Sequence, residues 1–215
     1  MLKNRLDKKM QRRVSLIFLV FLLSVCLEII SCNKDKTLIS PLNKTAIKEF
    51  PNEIGNEWIY FYYDSLNFYA DTVNVKIVGE IEFNGGRKAK IWEYHFKTKI
   101  DTKYVEISGD TVRIYDHLDN LRINTKYIFP LEVGKGWKGD FPNDSTSVID
   151  KTSIYLNGMR FQSCYILKRI WGAVNNYGLV TTWFVPGVGV VKRHHLGLSF
   201  GTANVYWELL DYNIK

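Results

Sequence analysis

Few side chains in this 215-residue sequence have types and spacings that could do chemistry. The four histidines are His95, His117, His194 and His195. A metal centre needs two or three ligands on one face, whereas neighbours such as His194 and His195 in an extended segment point to opposite faces. Asp116-His117-Leu118-Asp119 falls between a strand pattern and a turn signal and reads as a solvated loop. No nucleophile elbow, His-Glu-x-x-His zinc motif or phosphate loop is read from the chain. Asp64, Asp71 and Glu80 are scattered carboxylates that could converge on a glycoside, at a separation of about 5–9 Å. Any β-protein offers such pairs. The expectation is therefore no catalytic residue, no metal site and no cofactor.

Aromatic residues are the class with functional promise. Trp58-Ile59-Tyr60-Phe61-Tyr62-Tyr63 is apolar on both faces of an extended segment, more than one core face requires. One reading is a central strand covered on both sides. The other is that Tyr60 and Tyr62, or Phe61 and Tyr63, line a groove that stacks on sugar rings or takes an acyl chain or a peptide. Trp171-Gly172 and Tyr177-Gly178, expected in a loop, extend this set. The candidate ligand groove is thus Tyr60, Tyr62, Trp171 and Tyr177.

Stepping the charge along the chain separates two regions. The net charge is +7, and residues 1–31 hold six basic against two acidic side chains, leaving +3 for the remainder. A nearly neutral body without a Lys/Arg run is unsuited to holding nucleic acid by phosphate neutralisation. The basic start ends at Arg13, and residues 14–27 form an apolar run of 14. That run suits a signal sequence and falls short of the roughly 20 residues of a bilayer span. An uncleaved anchor helix is the alternative, but Glu28 would lie inside it. The run is followed by Ile29-Ile30-Ser31-Cys32 and the polar Asn33-Lys34-Asp35-Lys36. These residues resemble the bacterial lipoprotein signal, an aliphatic residue, a small or aliphatic one and a small one before the cysteine that becomes lipidated. Cys26 is the poorer match because bulky Val25 precedes it.

The resemblance implies a signal peptide over residues 1–31, lipidation of Cys32, and a tether over residues 32–48 in which Pro41 breaks any helix. It also implies a membrane partnership through the lipid anchor, in the cell envelope. Asn33 stands where lipoproteins held at the inner membrane carry Asp, so the outer membrane is expected. Cys164 is then left alone, within Phe161-Gln162-Ser163-Cys164-Tyr165-Ile166-Leu167, where cysteine serves as a small buried hydrophobe.

The body, residues 49–215, echoes itself. Phe50-Pro51-Asn52-Glu53-Ile54-Gly55-Asn56-Glu57-Trp58 returns 79 residues later as Phe129-Pro130-Leu131-Glu132-Val133-Gly134-Lys135-Gly136-Trp137, five positions identical and Ile54/Val133 conservative. A single β domain of two related units, about 50–128 and 129–215, is expected. Proline would fix the chain's entry, glycine permit a tight approach and tryptophan cap the core.

Between these marks the apolar period is two. Val73, Val75 and Ile77 alternate with polar residues, as do Trp92, Tyr94 and Phe96, then Val105 and Ile107, Val112 and Ile114, and Val205, Trp207 and Leu209. Asn84-Gly85-Gly86, Ser108-Gly109-Asp110, Asp119-Asn120, Asn157-Gly158 and Asn175-Asn176 punctuate them. The sequence predicts an all-β fold of ten to twelve antiparallel strands, a sandwich or a half-open barrel, with few or no helices.

The run Thr182-Trp183-Phe184-Val185-Pro186-Gly187-Val188-Gly189-Val190-Val191-Lys192, with Pro51, Gly55, Trp58 and Tyr60 upstream, resembles an uncharacterised family of secreted bacterial all-β lipoproteins. Some of its relatives are grouped with the curved-sheet fold of lipoprotein localisation factors, whose plugging helices have no counterpart here. The resemblance implies fold and compartment and carries no catalytic residue. Functionally, the sequence points to a non-catalytic binding or assembly module of the cell envelope, its partner an envelope protein, a glycan or a lipid. The alternatives are a lipid or lipoprotein carrier with an apolar groove and, third, a glycan-acting hydrolase.

Overall fold

The computed structural model describes residues 45–119, 122–141, 143–173, 176–198 and 202–215. The signal segment, Cys32 and nearly all of the tether lie outside the described residues. One short helix, α1 (Thr45–Glu49), precedes twelve strands. These are β1 (Glu57–Asp64), β2 (Tyr69–Phe83), β3 (Arg87–His95), β4 (Ile100–Ser108), β5 (Thr111–Tyr115), β6 (Ile123–Ile128), β7 (Gly136–Lys138), β8 (Ser145–Leu156), β9 (Met159–Ala173), β10 (Asn176–Val185), β11 (Gly189–Leu198) and β12 (Thr202–Asn213). They form one antiparallel sheet in the order β6-β5-β4-β3-β2-β1-β12-β11-β10-β9-β8-β7. Two six-stranded meanders thus meet at the β1–β12 ladder, and the sheet curls into a nearly closed barrel. The all-β expectation holds, and of its two architectures the barrel is the one adopted.

The local reasons are those of the pattern. Along β2, Asp71, Val73, Val75 and Ile77 are buried and the intervening side chains are not, because a pleated strand sends alternate residues to opposite faces. Asn157 and Gly158 turn β8 into β9 with φ of 49° and 82°, the left-handed pair that a two-residue hairpin needs.

The two echoed segments have the same local geometry. Gly55 and Gly134 adopt φ of 91° and 90°. Their amides donate to Ile77 O at 2.8 Å and Val148 O at 2.9 Å respectively. One residue on, the Asn56 and Lys135 carbonyls accept from Ile77 N and Val148 N. Trp58 then donates its Nε1 to Val188 O at 2.7 Å, and Trp137 donates its own to Lys126 O at 3.0 Å. They differ in that only the Phe129–Pro130 peptide is cis.

One end of the barrel is filled. Phe50 stacks on Phe184 at 5.9 Å and lies within 6.4 Å of Trp92, Tyr127 and Phe129, while Trp58 stacks on Trp92 at 4.8 Å. Gly187 N donates to Glu49 O at 2.7 Å and fastens α1 beside this plug. The edges β6 and β7 share no ladder, and side chains bridge them instead. Besides the Trp137 bond, Arg169 Nη1 donates to Asn124 O at 2.5 Å, and its Nε and Nη2 fork onto Asp144 at 2.8 and 2.6 Å.

Candidate functional site

Above the aromatic plug the barrel is hollow. The cavity has a volume of about 710 Å³, within the range of small-molecule sites. Its walls are rows of inward side chains set by strand register. Tyr60, Tyr62 and Asp64 climb β1, and Trp207 and Val205 of β12 stand opposite Tyr62 and Asp64. Arg193 and His195 of β11 stand level with Trp207 and Val205. Trp92 and Tyr94 of β3, Ile114 of β5 and Tyr127 of β6 complete the apolar part.

Edge-to-face packing fixes these rings. Trp207 meets Tyr62 at 4.8 Å, Tyr60 at 5.7 Å and Phe96 at 5.9 Å, each near perpendicular. Tyr60 Oη donates to Val190 O at 2.7 Å, which locks the ring against the wall. Burial holds the Tyr60 phenol well above its ordinary range and lifts that of Tyr94 to about 12. Burial also raises Tyr127, and the nearby Arg193 charge opposes the rise in both Tyr94 and Tyr127. These phenols stay neutral. His195 is pushed below its ordinary value, first by burial and then by the charges of Arg193, His194 and Arg169, so it too is neutral at pH 7.

Polar groups gather toward the mouth, where turns supply Asn67, Thr98 and Lys99. Asp64 accepts from the amides of Leu66 at 2.9 Å and Asn67 at 3.4 Å, and from Asn67 Nδ2 at 2.7 Å. Asp101 pairs with Lys99 at 2.9 Å. Lys103 pairs with Asp116, which also accepts from Asn124 Nδ2 at 2.8 Å. The turn bearing Asn67 exposes Leu66 (59%) and Phe68 (86%) to solvent.

Two of the four sequence candidates, Tyr60 and Tyr62, line the cavity, and Trp171 and Tyr177 do not. Both belong to strands rather than to a loop, since Trp171 is in β9 and Tyr177 in β10. The Trp171 ring covers Gly178, where an added Cβ would lie 2.3 Å from it, and sits 5.2 Å from His195. Tyr177 pairs with Gly172 and is 40% exposed. Nor is β1 covered on both sides, since Trp58 and Tyr60 are buried while Phe61 is 40% exposed.

The scattered carboxylates have structural employment. Asp71 accepts from Tyr69 Oη at 2.5 Å, Thr72 N at 2.7 Å and Lys97 N at 2.9 Å. Glu80 pairs with Lys90 at 2.8 Å and Lys88 at 3.3 Å. His194 stacks on Tyr206 at 4.3 Å, on the face away from His195. Among the described residues no three His, Cys, Asp or Glu cluster as metal ligands. Cys164 is fully buried, and burial lifts its thiol to about 11.

Sequence reasoning wrongly denied one motif and passed over a second feature. Gly197-Leu198-Ser199-Phe200-Gly201 has the letters of a nucleophile elbow. That elbow works in a strand-to-helix turn, whereas this stretch links the antiparallel strands β11 and β12, and Ser199 lies outside the described residues. The other is the inward arginine. Val191-Lys192-Arg193-His194-His195 is polar on both faces of a strand, an anomaly that could have signalled it.

No protein-family model and no curated protein sequence matches the chain. Solved structures do resemble it. A crystal structure from Bacteroides fragilis NCTC 9343, described as an exported protein with a YmcC-like fold, superposes with a TM-score of 0.50 at 12% identity, covering 77% of this chain and 98% of its own. A structure from Parabacteroides distasonis ATCC 8503, described as a lipoprotein, gives 0.44 at 12% identity over 76% and 97%. At this identity the likeness to the first is one of fold.

Proposed function

We propose that the protein is a lipid-anchored binding module of the bacterial cell envelope, without catalysis of its own, which takes an apolar or amphiphilic molecule into the barrel. The observation that carries this reading is the cavity of about 710 Å³ walled by Tyr60, Tyr62, Trp92, Tyr94, Tyr127 and Trp207. A barrel serving only as a scaffold would fill its interior, as the plug around Phe50 does. The lipobox Ile29-Ile30-Ser31-Cys32 supports anchoring, and Asn33 supports the outer membrane as destination. Exposed Leu66 and Phe68 would face a bilayer if the mouth were turned to it. The two meanders, with their matched Gly-Trp geometry, are proposed to be copies of one unit.

The reading is tested with the full chain in lipid nanodiscs, titrated with the neutral fluorophore N-phenyl-1-naphthylamine. Energy transfer from Trp92 and Trp207 reports entry into the cavity. Thr125→Phe and Val205→Phe place bulk in the lining and should abolish saturable transfer while the fold persists by circular dichroism. Transfer that is non-saturable, or equal in the filled variants, would overturn the reading. Cys32→Ala should abolish acyl labelling, and density separation should recover the wild-type chain with the outer membrane.

A further inference from the structure

We infer that the cavity's ligand is an amphiphile with a single anionic head group, carboxylate or phosphate, which Arg193 pairs while the apolar body lies against the aromatic rows. This rests on the binding-module reading and adds the charge of the ligand to it.

Arg193 is singular among the half-buried arginines. Arg87 forks onto Glu106 at 2.9 and 2.5 Å and reaches Tyr115 Oη at 2.7 Å. Arg169 forks onto Asp144, and Arg113 lies 3.9 Å from Glu106. No described residue hydrogen-bonds or ion-pairs with Arg193, although it lines the cavity. Its strand neighbours at the same level are Thr182 and Trp207, both uncharged. A guanidinium carries five donors, and withdrawing it from water without acceptors is costly. An anion entering the cavity would supply them.

The nearby acids are engaged elsewhere. Asp64 holds its own turn, Asp101 is taken by Lys99, and Asp116 by Lys103. Of the lining cations Lys99, Lys103 and Arg193, the first two are paired with Asp101 and Asp116, and among the described residues Arg193 has no carboxylate partner, so its charge is left uncompensated. Tyr94 and Tyr127, neutral phenols within reach of the Arg193 field, cannot balance it. The planar guanidinium matches a carboxylate or phosphate by two parallel bonds, which an ammonium cannot do. Below Arg193 lie the levels of Tyr60 and Trp58, which give an apolar body somewhere to go. A bare inorganic anion would leave those rings uncovered.

The test uses the full chain in nanodiscs and a palmitic acid analogue carrying a diazirine in its chain. Photoadducts should map to the β3, β6 or β12 peptides holding Tyr94, Tyr127 or Trp207. Unlabelled palmitate and 1-palmitoyl-lysophosphatidate should compete, and whichever does so at lower concentration assigns the head as carboxylate or phosphate. Hexadecanol, of equal chain length and no charge, should compete about tenfold or more weakly, the scale of a hydrogen bond to a charged group. Arg193→Gln should weaken palmitate competition about ten- to a hundredfold, and Arg193→Lys should recover part of it. The naphthylamine should still bind in both variants.

Hexadecanol competing as well as palmitate, or palmitate binding unchanged in Arg193→Gln, overturns the anionic assignment and leaves the cavity reading standing. Inorganic phosphate competing as well as palmitate overturns the amphiphile. Loss of naphthylamine binding by the wild type would remove both readings together.

Discussion

Asp144→Ala is the most demanding structural test of how the barrel closes. Asp144 is 1% exposed at its side chain and Arg169 12%, and their two forked bonds are 2.8 and 2.6 Å. Arg169 also reaches across the seam to Asn124 O at 2.5 Å, so the pair orients the group that bridges β9 to the unladdered edge of β6. Removing one partner of a buried pair leaves the other charge uncompensated, at a cost of about 3–5 kcal/mol. For a domain of this size each kcal/mol moves the melting temperature by about 2–4 °C, so a fall of about 6–20 °C is expected. Urea unfolding followed by tryptophan fluorescence would measure the free energy. In a double-mutant cycle, Asp144→Ala with Arg169→Met should cost clearly less than the sum of the single changes. Additive costs, or a loss below about 1 kcal/mol for Asp144→Ala, would refute the claim that this pair holds the seam.

Trp137→Ala should cost about 3–5 kcal/mol by the same unfolding assay, because a nearly buried indole and its bond to Lys126 O are lost; under about 1 kcal/mol would contradict its place in the core. Burial opposes ionisation of Glu106, but the hydrogen bonds from Arg87 and Tyr115 outweigh it and lower its pKa below the ordinary 4.5. Its stabilising contribution is therefore full above about pH 4.5 and disappears as the pH falls through the lower folded value. The stability difference between wild type and Glu106→Gln should shrink on acidification from pH 7 to pH 3, and a constant difference would contradict the assignment. Cys164, fully buried and with its thiol near 11, should react with a disulfide reagent at pH 8 only as fast as the barrel unfolds.

Strand content was legible because period two is a local signal. Val73, Val75 and Ile77, or Val205, Trp207 and Leu209, read as half-buried strands wherever they end up in space. Turn chemistry at Asn84-Gly85-Gly86 and Asn157-Gly158 was legible for the same reason, since left-handed backbone favours those residues. Closure was not. An aromatic row looks identical in sequence whether it packs on a second sheet or faces a void, so the choice between sandwich and barrel waited on the β1–β12 ladder. That ladder joins residues such as Tyr62 and Trp207, 145 positions apart.

The site was half legible. Tyr60 and Tyr62 stood out because three inward positions of β1 in a row, Trp58, Tyr60 and Tyr62, are aromatic. Trp171 and Tyr177 drew the same inference from glycine neighbours, but Gly178 vacates space for the Trp171 ring and Gly172 takes a positive φ of 108°. Arg193 went unread because a lone arginine in a strand is ordinarily solvated. The doubly polar strand around it was the one local hint, and the register that sets it beside Trp207, with the prior engagement of Asp64, Asp101 and Asp116, makes it unusual.

Native mass spectrometry of the full chain, released from nanodiscs prepared from its own membranes, tests the central claim most directly. The cavity account predicts one bound amphiphile per chain on the wild type, absent from the filled variants Thr125→Phe and Val205→Phe. A wild-type chain that flies without a bound molecule, or one that carries the same adduct when the cavity is filled, would contradict it.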